Sequence, residues 1–356
     1  EDIVHMSKNP KIWSSARGGT DLKDHEEEDL DQIRLLMLNM DPPQHVKFRK
    51  LLSKGFTPRM ISLLEPKIRA RTTEIVDGIC AKGSCDFVRE VAAELPLIVI
   101  AELLGVPLED RDQLFDWTNQ LIGFDDPEFQ TSMEDARMAA MEVWMYAQEL
   151  ADERMGQEGD DLVRVLMNAE VDGEKLSDME FNAFFLLLVV AGNETTRNAI
   201  AGGLRTLIEH PDQAAILRAN IDDDDLWTTA TDEILRWVTP VTYFRRQATC
   251  DFEYKGIQFK EDDKFALMYR SANRDEAIFE DPYRFDVRRT PNHHLAFGTG
   301  EHFCMGASLA RLEIRCIFQE IFRRLDNIEL DGEIRRLRSN IINGTRTLPI
   351  KFDVIG

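Results

Sequence analysis

Cys304 sits where a cysteine can do chemistry. It follows a bend containing Gly298 and Gly300, which can take backbone angles that a side chain forbids, and it comes just before a helix. From Ala307 onward, Leu309, Leu312, Ile314, Ile317, Phe318 and Ile321 recur at helical spacing beside Arg311, Glu313, Arg315 and Glu320. The unpaired N–H groups and positive dipole end of such a helix favour a thiolate over a thiol. A thiolate held there is a nucleophile or a metal ligand. The bland alternative is a small buried residue.

Three more constellations carry polar chemistry. Asp41-Pro42-Pro43 reads as a helix start with Asp41 as N-cap, which puts His45 and Arg49 four apart on one face. Two cations on one face need a shared anion, or else form a solvated charged surface. Phe181, Phe184, Phe185 and Leu186 to Val190 are apolar all round a helix expected from Asp178 to about His210, with Ser177 as its N-cap. Into it the chain inserts Ala191-Gly192-Asn193-Glu194-Thr195-Thr196. A buried Glu and Thr are costly unless paired or functional. Gly192 leaves space for a small ligand, and Thr195 can bend the helix by competing for a carbonyl; a satisfied polar kink is the other reading. Glu233 and Arg236 share a face of a helix over 230–238, a spacing that usually marks a surface pair.

The run Phe297-Gly298-Thr299-Gly300-Glu301-His302-Phe303-Cys304-Met305-Gly306 resembles the haem-binding loop of the cytochrome P450 monooxygenases, with Cys304 at the axial-ligand position. Three further motifs follow the same family's order: D-P-P-Q-H-V-K-F-R from Asp41, A-G-N-E-T from Ala191, and E-I-L-R from Glu233. The resemblance implies haem b (iron protoporphyrin IX) held by His45, Arg49, Ala191, Arg246, Phe297, His302, Cys304 and Gly306. Of these, His45, Arg49, Arg246 and His302 would face the propionates, with Arg245 competing closely for the place of Arg246. It implies that Glu194 and Thr195 supply protons to dioxygen, and that Glu233 and Arg236 form a structural pair completed by Arg289.

The implied activity is insertion of one oxygen atom of O2 into an unactivated C–H bond, with the other reduced to water. Electrons would come from a ferredoxin and its ferredoxin reductase, since no nucleotide-binding glycine motif and no cysteine cluster for iron–sulfur occur in the chain. Lys47, Lys50, Lys54, Arg311 and Arg315 would face such an acidic carrier. Stretches such as M-L-N-M-D-P-P-Q-H and E-L-P-L-I-V-I-A-E-L-L-G-V-P are similar to the bacterial group that hydroxylates the terminal methyl of cholesterol and cholestenone side chains. Relatives of that group take branched lipids or monoterpenoids. Leu187, Val190, Ala191, Val241 and Thr242 are the expected pocket residues, with the greasy segment from Ile33 to Met40 as a further wall. A peroxygenase or reductase on the same fold would not need the Glu194–Thr195 pair, and a haem sensor would not turn over.

The elements around these residues are mostly helices. Residues 1–16 read as a short helix closing in Trp13-Ser14-Ser15, and 17–31 as an acidic exposed loop. Residues 56–180 read as helices punctuated at Thr57-Pro58, Asp86-Phe87-Val88, Gly105-Val106-Pro107 and Asp125-Asp126-Pro127. Phe252 to Tyr254 and Phe265 to Tyr269 alternate as strands joined through Gly256. The expectation is a mainly α fold with a minor β part, one large domain over 1–356, lacking the family's first helix and first strands. A net charge of −22 argues against nucleic acid. Five cysteines without a C-x-x-C pair indicate neither a disulfide framework nor a zinc site, and suit a reducing cytoplasm. The longest apolar run is far short of the ~20 residues that span a bilayer.

Overall fold

The computed structural model describes residues 1–53, 56–122, 126, 133–157, 161–171 and 173–355. Its axis is the 32-residue helix Asp178–Glu209. The helix begins at a capping box: Ser177 Oγ accepts from the Glu180 backbone N–H, while the Glu180 carboxylate accepts from Ser177 N at 2.8 Å. It is apolar all round because two cores share it. Phe181, Phe184, Phe185, Leu188 and Val189 pack with Leu97 and Ile100 of helix Glu94–Leu104, Trp117 of helix Arg111–Ile122 and Val143 of helix Met133–Arg154. Further along, Ile200, Leu204 and Leu207 pack with Ile234 of helix Asp224–Val238, Ile317 and Phe318 of helix Ala307–Arg324, and Val76 of helix Pro58–Cys80. Close approach there requires glycine: a Cβ on Gly203 would lie 2.8 Å from the Phe318 ring.

Helix punctuation falls at the expected residues. Thr57 caps Pro58–Cys80, and Gly105 ends Glu94–Leu104 in the left-handed region at φ +75°. Asp125 and Pro127 lie outside the described residues.

The minor β part departs from expectation in pairing. Phe252–Tyr254 pairs with Ile257–Phe259, whereas Lys264–Met268 pairs with Tyr243–Ala248. A tight turn at Lys255-Gly256 closes the first hairpin before the chain can reach residue 265. Trp13–Ser14 is a strand beside Gln247 and Ala248 rather than a helix end. The stretch 17–31 is anchored rather than exposed throughout: Gly18, Gly19 and Thr20 are buried, Arg245 donates to Lys23 O at 2.9 Å, and helix Glu27–Ile33 starts within it. Ser84–Asp86, in a stretch read as helical, pairs with Pro349–Val354. Its partner lies more than 250 residues away, which no local pattern reports. Among the described residues no helix is long and apolar enough to cross a membrane.

Candidate active site

The Cys304 loop is fixed by its glycines. Gly298 and Gly300 take φ of +68° and +72°, and a Cβ on Gly300 would lie 2.4 Å from Ser7 O. Cys304 N donates to Phe297 O at 3.0 Å, and Gly306 N-caps helix Ala307–Arg324. The Cys304 side chain is accessible although protein surrounds it, so its sulfur faces an internal space rather than bulk solvent. A Cβ on Gly306 would protrude to 3.9 Å from that sulfur. The helix end favours a thiolate, but burial outweighs it and pushes the Cys304 thiol up. A Gly306 backbone hydrogen bond and the cations Arg49 and Arg311 pull the other way.

Among the described residues no carboxylate pairs directly with Arg49 or Arg246. His45 is buried, its ring 4.1 Å from that of His302 between centroids, and its Nδ1 has no hydrogen-bond partner. Burial and then Arg49 push His45 down to about 4, while His302 is lowered by burial, Arg246, His45 and Arg49. Arg49 donates to Phe303 O, and Arg246, 3% exposed, donates to Arg245 O at 2.8 Å. The nearby carboxylate is that of Asp41, and it is not an N-cap: it binds Ser14 Oγ and Ser15 N, and helix Gln44–Leu52 starts from Pro43. Strand alternation separates the two candidate arginines. Arg245 turns to Lys23 O and Gln247 Oε1, leaving Arg246 beside His45 and His302.

The long helix supplies the other wall. Asn193 and Glu194 are fully buried, while Leu187, Val190, Ala191 and Thr195 are open on one face in the middle of the molecule. An open stripe between two buried cores is the lining of an internal space. Thr195 Oγ1 donates to Ala191 O at 2.9 Å without interrupting the helix. Gly192 faces away: a Cβ there would meet Ile100 at 3.1 Å, so its smallness serves helix packing and not ligand approach. Glu194 is ion-paired to Arg197, which also donates to Asn119 Oδ1 at 2.9 Å; Asn193 donates to Thr118 Oγ1 at 2.8 Å. Burial raises the Glu194 carboxyl, and Arg197 opposes the shift. Arg197 was legible as an i, i+3 partner of Glu194; Asn119 was not, being on another helix. Val241 bridges to Ile342, and Thr242 O accepts from Tyr269 N, whose ring hydroxyl approaches Gly298.

Glu233 and Arg236 are fully buried and doubly bonded at 2.7 and 2.8 Å. Arg289 Nε reaches Glu233 at 3.2 Å, and Asn292 Nδ2 and Asp286 N, which sequence reading did not single out, complete its shell at 3.1 and 2.9 Å. Arg311 and Arg315 are not free to meet a partner: Arg311 donates to Asp232 at 2.7 Å and stacks on Phe297, and Arg315 reaches Glu65 at 3.4 Å. Lys50 is exposed, and Lys54 lies outside the described residues.

An accessible cysteine sulfur, an internal apolar wall and a cation cluster lacking its anion together fit a flat metal-bearing macrocycle with carboxylate arms. Residues 72–224 and 225–350 match the Cytochrome P450 family. The chain is a cytochrome P450. It is 44% identical over 356 residues to the steroid C26-monooxygenase of Rhodococcus jostii, covering 99% of this chain and 74% of that protein. It is 42% identical to the methyl-branched lipid omega-hydroxylase of Mycobacterium tuberculosis, covering 99% and 82%. A Mycobacterium marinum cytochrome P450 in complex with pseudoionone superimposes with a TM-score of 0.92 at 38% identity, covering 99% of this chain and 85% of that one. This P450 is a monooxygenase of the mainly α fold, with haem iron as its cofactor and O2 and a lipophilic molecule as its substrates.

Proposed function

We propose that this P450 hydroxylates the terminal methyl of a branched apolar side chain, that of a sterol first and of a methyl-branched lipid second. One observation carries the reading. Relatives aligned over the same 99% of the chain are named for oxidation at C26 of a steroid and at the omega end of a branched lipid. The names differ in the body of the substrate and agree on its end. A narrow apolar stripe of Leu187, Val190 and Ala191 suits such an end, with Val241 and Thr242 further out.

The cofactor is haem b in this reading. When bound, it supplies the iron at which dioxygen is activated. Cys304 would hold that iron through its sulfur. Arg49 and Arg246 would pair with its two propionates, and His45 and His302 would donate to them. Phe297 and Gly306 would flank the Cys304 sulfur, and Ala191 would line the site from the long helix. Thr195 can turn its hydroxyl from Ala191 O towards the open space and donate there. Glu194 can refill that proton only by swinging away from Arg197, which keeps the acid out of the site between turnovers. Electrons come from a ferredoxin and ferredoxin reductase in the cytoplasm, with Lys47 and Lys50 on the docking face.

The test is turnover of the haem-loaded enzyme with a ferredoxin system on cholest-4-en-3-one and on a methyl-branched fatty acid, read by mass spectrometry. A terminal alcohol from the sterol is expected. Ring hydroxylation, or a terminal alcohol from the fatty acid alone, would overturn the sterol assignment. Thr195→Ala should consume O2 while making peroxide instead of alcohol, and a variant still fully coupled would remove Thr195 from proton delivery.

A further inference from the structure

A second cavity, of about 360 Å³, opens where the C-terminal half of the long helix meets the end of helix Asp224–Val238. Its volume is at the lower end of small-molecule sites, which run from about 300 to 1,000 Å³. It is separate from the oxygen-handling residues: Arg205 is ten residues beyond Thr195, roughly 15 Å along the helix axis. Four arginines line it, Arg205, Arg270, Arg274 and Arg336, against one carboxylate, Glu209. That concentration of positive charge occurs on a chain of net charge −22.

The four are not equivalent. Arg274 is held in place, donating to Arg236 O at 3.0 Å and Trp237 O at 2.9 Å and stacking on Trp237 at 4.4 Å. Arg336 is held by Thr345 Oγ1 at 3.1 Å and by Asn343 Oδ1. Among the described residues Arg205 has one ion-pair partner, Glu209 at 3.6 Å, and its buried Nε makes no hydrogen bond. Arg270 has no acidic partner among the described residues, and its charge, after burial, helps push both Arg274 and Arg336 down. Two guanidinium groups are thus pre-positioned and two keep free donors, and all four residues line one small cleft. Planar forks of this kind match the oxygens of phosphate, and the excess charge suits two adjoining phosphates better than one carboxylate.

We propose that this cleft binds the diphosphate group of a soluble phosphorylated small molecule. The probe is inorganic pyrophosphate, titrated calorimetrically at low salt into the haem-loaded protein, in which the propionate-facing cations are already paired. Saturable one-to-one binding is expected, weakened at least about tenfold by Arg270→Gln and by Arg205→Gln, the loss of one charge-assisted contact each. Neither variant removes a bond that holds the fold, and an unchanged haem spectrum checks this. Lys260→Gln, on a remote surface, should bind as the parent does. No saturable heat, equal affinity in the arginine variants, or binding of phosphatidic acid vesicles in place of pyrophosphate would each overturn the proposal.

Discussion

Replacing Arg246 by methionine should move two measurements in opposite directions. Arg246 is 3% exposed, burial pushes its guanidinium down, and it donates a hydrogen bond to the neutral carbonyl of Arg245. Asp41 lies near enough to act on it, but both Asp41 oxygens are committed to residues 14–16. Without cofactor, the chain therefore carries a buried cation that no carboxylate among the described residues directly pairs. Methionine keeps much of the stem and removes the charge, so the haem-free protein should become more stable by about 1–3 kcal/mol. With cofactor, the same change removes a charge-assisted hydrogen bond worth about 1.5–3 kcal/mol, which corresponds to about a ten- to hundredfold faster loss of haem. Urea unfolding of the haem-free protein reads the first effect, and haem transfer to an excess of apomyoglobin reads the second. If the haem-free variant is the less stable, the cation cluster is not waiting for an anion and the reasoning fails. Arg245→Met serves as the contrast: its bonds to Lys23 O and Gln247 are structural, so it should destabilise both forms.

Arg236→Lys should cost about 3–5 kcal/mol, because lysine cannot span the bidentate bond to buried Glu233 and also reach Asn273 O, Pro282 O and Arg284 O. A shift in the urea midpoint worth less than 1 kcal/mol would count against the pair's structural role. Glu313 gives a pH signature. Among the described residues it has no charged partner, and burial pushes its carboxyl up to about 8 from 4.5. The folded chain then holds a proton that the unfolded chain releases, so this residue's contribution to stability is full below pH 4.5 and is lost as pH rises towards 8, by up to about 1.4 kcal/mol per pH unit. Glu313→Gln should remove that slope, its advantage over the parent growing from pH 5 to pH 8 in urea titrations. Parallel profiles would show that the carboxyl is solvated or paired.

Much of the site can be read along the chain, because its parts are local. The glycines before Cys304, the helix after it, the cap at Ser177 and the four-residue spacing of His45 and Arg49 are all encoded within a few residues of each other. The polar insert from Asn193 to Thr196 announces itself against a greasy helix. The start of that helix also follows from its Ser177 cap and the apolar run behind it. Local patterning by itself determined the helical class, the order of the motifs and the place of a reactive-cysteine candidate at Cys304.

Other features depend on residues far apart in sequence. Arg245 and Arg246 are adjacent and chemically identical, and only the sheet with Trp13–Ser14 and Lys264–Met268 decides which one turns inward. Asp41 looks like a cap but serves Ser14 and Ser15, and Gly192 looks like ligand space but admits Ile100. Arg311 looks available to a partner until Asp232 reaches it from another helix. Four arginines spread from position 205 to 336 become one cleft only on folding. The physical reason is common to all of these. Backbone hydrogen bonding repeats over three or four residues and leaves a pattern in sequence, whereas the partner of a buried side chain is chosen by packing between distant elements, which leaves none.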